Sequence, residues 1–230
     1  MVSRVRPIHA SSTLVSRQTR LASQFNGFPP EACDFFEQLA RHNDRDWFHA
    51  HQDVYERACR EPMKRLVAEL GANPATTKLS RINRDMRFSR DKGPYRTYIA
   101  AGVHGSYLSL SSAGLYVGTG LYKPEPAVLE RLRNAIDSNV SGRALQRIVT
   151  SLRRKHYHVD THERLLSAPR GYPADHPRIE LLRMKDIFAG QTFVPEAWLS
   201  TRRAIPRIRR VMDDVRPLAD WLRVHVGARA

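Results

Sequence analysis

The segment from Lys78 to Arg96, KLSRINRDMRFSRDKGPYR, concentrates the charge that chemistry would use. Seven cations (Lys78, Arg81, Arg84, Arg87, Arg90, Lys92, Arg96) stand there against two acids, Asp85 and Asp91. Planar guanidinium groups hold phosphate or carboxylate through paired hydrogen bonds, so several that converge can hold a doubly charged anion. The spacing of Arg81, Arg84, Arg87 and Arg90 by three sets a geometric condition. On an α-helix each step of three falls about 60° short of a turn and fans the side chains across half the cylinder. In a strand, odd spacing sends alternate residues to opposite faces. A strand ending near Phe88 and turning through Asp91-Lys92-Gly93-Pro94 would place Arg81 and Arg87 on one face and let Arg90, Lys92 and Arg96 approach from the loop. The candidate ligand-binding set is therefore Arg81, Arg84, Arg87, Lys92 and Arg96, with Tyr95 beside them and Gly120 offering backbone N–H groups. Asp85, Asp91 and His176 are the candidates to orient the set or to act as general acid and base. The competing reading is an ion-pair network, or a solvated face, in which each Arg meets its own acid.

Other patterns are less specific. His156-x-His158-x₃-His162 and His49-x-His51 lack the Cys, Asp or Glu partners at the spacing of a zinc or di-iron site, so surface or structural roles are expected and no metal is assigned. Asp175-His176-Pro177 fits either an acid/base pair or a helix start with Pro177 at the first helical position. Gly114-x₃-Gly118-x-Gly120 is not followed by Lys-Ser/Thr and is no phosphate-binding P-loop; its glycines point to close packing or a bulge. A Gly-x-Ser-x-Gly elbow is absent from the sequence. Trp47 and Phe48 are expected to pack at the start of a helix.

The elements that must position these residues follow from periodicity. Phe35, Phe36 and Leu39 after Pro29-Pro30 predict a first helix to about His42, and Asp44 caps a second that runs to Gly71 with a kink at Pro62. Residues 98–103, 106–111 and 114–118 read as strands, the last two joined as a hairpin by Ser112-Ala113. Pro124 to Ile136 predicts a helix, and Ser141 is expected to cap the next. A short helix through Leu182, a strand over 186–194 and a closing helix over 201–226, interrupted at Pro206 and Pro217, complete the chain. Helices, strands, helices, one strand and helices favour an α+β fold with a mostly antiparallel sheet.

At 230 residues with 41% hydrophobic and 27% charged residues, the chain has the composition of one globular domain, expected over 27–228. Residues 1–26 hold Arg4, Arg6, Arg17 and Arg20 without an acid and read as a disordered basic extension. No apolar run approaches the roughly 20 residues of a membrane span. Two cysteines, Cys33 and Cys59, are expected to be free thiols in a reducing, cytoplasmic setting. The net charge of +15 invites an anionic partner, although 32 of the 38 basic residues are Arg, a bias that a GC-rich genome produces without selection for binding.

Four motifs together resemble a known family. Arg81-Ile82-x-Arg84-Asp85-x-Arg87-Phe88-Ser89-x-Asp91-Lys92-x-Pro94-Tyr95-Arg96-Thr97 is similar to the signature of the domain of unknown function 2461 family of bacteria and fungi. Asn43-x-Arg45-x-Trp47-Phe48, Gly118-x-Gly120-x-Tyr122-x-Pro124 and Gly171-Tyr172-Pro173-Ala174-Asp175-His176-Pro177 with Glu180, Leu181 and Lys185 resemble its early, central and late motifs. The resemblance covers about residues 28–226 and implies a single α+β domain whose matched positions form a shared site without assigned roles. The expectation for function is an Arg-rich pocket for an anionic, phosphorylated small molecule, with phosphoester or nucleotide chemistry if the protein is an enzyme. The alternatives are a nucleic-acid-binding groove and a non-catalytic scaffold. Neither a cofactor nor an oligomeric state follows from the sequence.

Overall fold

Five strands form one antiparallel sheet in the order β1-β2-β3-β5-β4: β1 (Tyr98–Val103), β2 (Ser106–Ser111), β3 (Gly114–Leu121), β4 (His158–Asp160) and β5 (Ile187–Phe193). The computed structural model describes residues 24–85 and 93–227. Arg87, Asp91 and Lys92 of the candidate set, the strand end expected at Phe88, and the basic extension up to residue 23 lie outside the described residues.

The sheet follows directly from its sequence. In β2, Ser106, Leu108 and Leu110 are buried while Tyr107, Ser109 and Ser111 are not, the period of two that gives a strand one dry face. His104 and Gly105 both take positive φ, 49° and 79°, which matches the twist of a two-residue hairpin turn between β1 and β2. Ser112-Ala113 joins β2 to β3 as expected, and β3 runs three residues past the expected Gly118 to Leu121. The strand β4, opposite the start of β5, has no expectation in the sequence because only three residues pair.

Outside β1, residues 79–83 run antiparallel to 95–101 through bridges Leu79–Ala101 and Asn83–Tyr95. Four steps separate these bridges on one arm and six on the other, so the second arm carries extra residues around Arg96 to Tyr98 and departs from a regular ladder. The described residues of the basic segment, 78–85 and 93–96, therefore form two irregular antiparallel arms at the edge beside β1.

Helices cover the dry face. The first, α1 (Glu31–Arg41), packs on β2. The expected second helix is broken: α2 (Arg45–Ala50), with Asp44 Oδ1 accepting the Trp47 N–H at 2.8 Å, stops at His51, and α3 (Gln52–Val54) passes through a π-helical turn (Tyr55–Arg60) into α4 (Glu61–Glu69). Pro62 lies just past the π-helical turn, in continuous helical backbone, so the N–H it lacks falls where the hydrogen-bond pattern changes from π to α. Beyond β3 come α5 (Pro126–Asp137), α6 (Asn139–Arg154), α7 (Ile179–Leu182) and α8 (Ala204–Val226). Ser141 is not a cap: it sits inside α6, buried, and its hydroxyl donates to the Ala135 carbonyl at 2.6 Å. α8 continues through Pro217 and packs across β2, β3 and β5. Ile208, Val215 and Leu218 of α8 meet Leu108, Leu115 and Val117 in one core that reaches Phe25, itself fully buried edge-on against Phe28. Cys33 and Cys59 are free and buried in it, and burial raises the Cys33 thiol to about 11 and the Cys59 thiol further. No helix among the described residues is long and apolar enough to cross a membrane.

Candidate functional site

The sheet face turned away from the core has a floor of glycine. Register places Gly102, Tyr107, Gly118, Gly190 and His158 in one row across all five strands. With no Cβ at three of these positions, the floor is depressed where the row crosses β1, β3 and β5. Tyr116 leans into this depression: a Cβ added at Gly190 would stand 2.5 Å from its hydroxyl oxygen, and one at Gly118 would overlap it. Phe188 lies likewise across Gly120, where a Cβ would come within 2.7 Å of the Phe188 Cβ. The result is a cavity of about 660 Å³ walled by Tyr107, Tyr116, Tyr122 and Phe188, with Ser109 and His162 at its edges. Tyr122 is 64% exposed and Tyr107 43%, so two ring faces remain available. Burial lifts the Tyr116 hydroxyl to about 12, which keeps it a neutral hydrogen-bond donor at neutral pH.

A cation lies beyond the Tyr107 side of the cavity. Arg96, on the irregular arm beside β1, donates from Nη1 to the Tyr98 hydroxyl at 2.6 Å, with its guanidinium carbon 5.7 Å from the center of that ring. Its Nε is buried and has no hydrogen-bond partner, and no carboxylate pairs with it among the described residues. Arg96 lies close enough to Tyr107 for its charge to oppose the rise that burial, the larger effect, imposes on that hydroxyl. The Arg96 arm is held by Asn43, whose side-chain amide donates to the Tyr95 carbonyl at 2.9 Å and accepts the Tyr95 N–H at 3.0 Å. Gly93 leaves room for that amide, and Phe48 stacks on the Tyr95 ring at 4.1 Å.

A second feature borders the cavity. Asp186, 2% exposed, accepts from the Thr161 hydroxyl at 2.8 Å, the His162 N–H at 2.8 Å and the His162 ring Nδ1 at 2.9 Å. The His162 ring packs against Phe188 and, edge-on, against Tyr122 at 4.6 and 4.8 Å. Lys123, turning the chain out of β3 with a left-handed φ of 42°, brings its N–H to 3.5 Å from the same carboxylate and its ammonium to 5.4 Å from the Tyr122 ring. Lys123, Lys185 and His162 line a recess of about 200 Å³ next to the cavity.

The candidates read from sequence thus separate. Gly120 lines the cavity, and Arg96 lies outside its lining, on the side of Tyr107. Arg81, Arg84 and Asp85 lie on the opposing hairpin arm, Arg81 and Asp85 exposed and Arg84 half-buried with its N–H on the Pro94 carbonyl at 2.8 Å. Tyr95 is buried as the hairpin's anchor. His176 meets partners within the fold: its Nδ1 accepts the Arg178 N–H at 3.0 Å and its Nε2 lies 3.1 Å from Asp137. Arg178, 5% exposed, then caps the end of α5 through the Ile136 and Asp137 carbonyls, each at 2.6 Å. Pro177 precedes α7 by two residues, with Arg178 at the cap between them, instead of opening it. Sequence reasoning missed Tyr116, Lys123 and the Asp186–His162 pair as site residues. Outward aromatics alternating with Leu in β2 and β3 carried a signal for the cavity, whereas a pair 24 residues apart carried none. Among the described residues no group of three or more His, Cys, Asp or Glu is arranged to hold a metal ion.

Neither a curated protein nor a solved structure matches this chain. A family model described as a conserved hypothetical protein, DUF2461, matches residues 31–221, which takes in Asn43, Arg96, the glycine floor and the Asp186–His162 pair. The chain belongs to that family.

Proposed function

We propose that the protein binds a small phosphorylated ligand bearing a planar ring, the ring among Tyr107, Tyr116, Tyr122 and Phe188 and the anion at Arg96. The observation that carries this reading is the Arg96 guanidinium, half-buried with no carboxylate partner among the described residues and with a buried Nε left without an acceptor. A buried N–H without an acceptor is unfavourable, and an anionic group of a ligand would supply one to Arg96 Nε. A concave volume of about 660 Å³ suits a small molecule, and the aromatic walls offer it stacking surface.

The test is calorimetric titration of the full chain with adenosine monophosphate and with adenosine. The phosphate should strengthen binding by about tenfold or more, the worth of a charge-assisted bond, and Arg96→Ala should erase that difference with little change in melting temperature. Equal affinity for the two probes contradicts the reading, and so does an Arg96→Ala variant that binds normally. A large drop in melting temperature favours a structural role for Arg96.

A second reading has its own support. Exposed Tyr107 and Tyr122 on a sheet, beside a basic hairpin, suit stacking of the bases of a single-stranded nucleic acid. An oligonucleotide held by several phosphates would lose orders of magnitude in affinity between about 50 and 200 mM salt, and a small ligand much less.

A further inference from the structure

We infer that the outer face of α6 is a docking surface for the phosphate backbone of a nucleic-acid duplex, a contact separate from the cavity. Arg143, Arg147, Thr150 and Arg154 follow one another by four, three and four residues. A helix advances about 1.5 Å and turns about 100° per residue, so the four stand within about 60° of one another, at about 0, 6, 10.5 and 16.5 Å along the axis. All four are exposed, and they line an open trough of about 680 Å³ formed by residues of α6 alone. The helix holds no Asp or Glu, and among the described residues none of these three guanidinium groups meets a carboxylate. The stripe is held rigid because the opposite face is built into the core. Leu145, Val149 and Leu152 are buried, α6 packs on α5, α8 and β4, and the Trp221 indole donates to the Ser141 carbonyl at 2.9 Å.

The chemistry of the stripe selects among polyanions. Guanidinium groups hold phosphate oxygens through paired hydrogen bonds, and the Thr150 hydroxyl between Arg147 and Arg154 adds a neutral donor, the mixture that positions proteins on a duplex backbone. Steps of about 4.5 to 6 Å along a straight line are on the scale of the separation between neighbouring phosphates. No aromatic ring lines the trough, so a single strand finds nothing there on which to stack its bases. A membrane surface takes up a helix through an apolar face, and that face of α6 is already buried in the core. Protein partners settle on apolar or aromatic anchors, whereas the one apolar side chain lining the trough is Val140, at its end. A surplus of arginine in the composition explains the residue type, but not the alignment of three with no acid among them.

The experiment measures binding of the full chain to fluorescent DNA and RNA duplexes of about 20 base pairs by anisotropy, as a function of salt. Each phosphate contact contributes about 0.9 to the slope of log K against log salt. The triple variant Arg143→Gln/Arg147→Gln/Arg154→Gln should therefore flatten that slope by about 2.7 and weaken binding about tenfold or more at low salt. Its melting temperature should stay near that of the wild type, since all three side chains are exposed and Gln keeps the helix propensity. The same loss of charge elsewhere, in Arg170→Gln/Arg203→Gln/Arg210→Gln, should flatten the slope by less than about 1, because those exposed arginines lie outside the stripe. Equal effects of the two triple variants would show net charge alone at work and overturn the inference. A slope unchanged in the α6 variant, or failure of the full chain to bind both duplexes, overturns it as well. Tighter binding to phosphatidylserine vesicles than to either duplex, lost in the α6 variant, overturns it in favour of a membrane surface.

Discussion

Gly118 and Gly190 face each other across β3 and β5, and their missing side chains are what allow Tyr116 to lie against the sheet. Gly118→Ala should push the Tyr116 ring out, cost about 1–3 kcal/mol by denaturant unfolding as an overpacked site does, and weaken ligand binding together with stability. A variant with wild-type stability and binding would show that the ring is not held by this floor. The glycines were legible in the sequence as positions of close approach, because no other residue type explains a Gly-x-Gly repeat inside a strand pattern. What they approach was not legible, since Gly190 joins Gly118 only through strand pairing. His162 illustrates the same limit: spacing groups it with His156 and His158, while its environment is set by Asp186 on the far side of α7.

At the scale of elements, the early motif acts as a clamp on the basic hairpin. Asn43 satisfies both backbone groups of Tyr95, so Asn43→Ala leaves an N–H and a carbonyl without their partner and should cost about 1–3 kcal/mol. It should also weaken ligand binding, because Arg96 follows Tyr95 directly; hydrogen exchange at residues 93–97 reads the loosening. The junction of α6 and α8 supplies a pH test. Burial pushes the Asp214 carboxyl up, but the Lys155 ammonium and the Tyr157 hydroxyl, donating at 2.7 Å, pull it further down, so the net shift is downward. A depressed carboxylate contributes stability that is present above its unfolded pKa and lost as pH falls through its folded value. Asp214→Asn should therefore cost about 1 kcal/mol at neutral pH, and the gap from wild type should close under acid, below about pH 4. A gap that persists at pH 3 would show that Asp214 acts by packing alone. Helix and strand positions were largely legible from periodicity; the break at His51, the π-helical turn and the embedded Ser141 were not, because each depends on what packs against the helix.

The whole molecule combines one helix-covered sheet face, one face open to a cavity, and a net charge of +15 that is mostly arginine. That charge is widely distributed: α6 alone carries Arg143, Arg147, Arg153 and Arg154 with no acid of its own. Compositional bias therefore gives a polyanion many places to touch, whereas the cavity gives a small anion one. Competition separates these cases, because adenosine monophosphate should displace a small-site ligand at any salt but should not displace an oligonucleotide spread over α6. The α+β architecture and the family were readable from element order and four motifs; the shape of the open face was not, since it emerges only when strands distant in sequence pair.

Backbone amide shift mapping by NMR during titration with adenosine monophosphate tests the central claim most directly. The account predicts that the largest perturbations gather at Arg96, Tyr107, Tyr116, Gly120, Tyr122 and His162 and vanish in Arg96→Ala. Perturbations centred on the arginines of α6, or scattered over the surface without saturation, would contradict it.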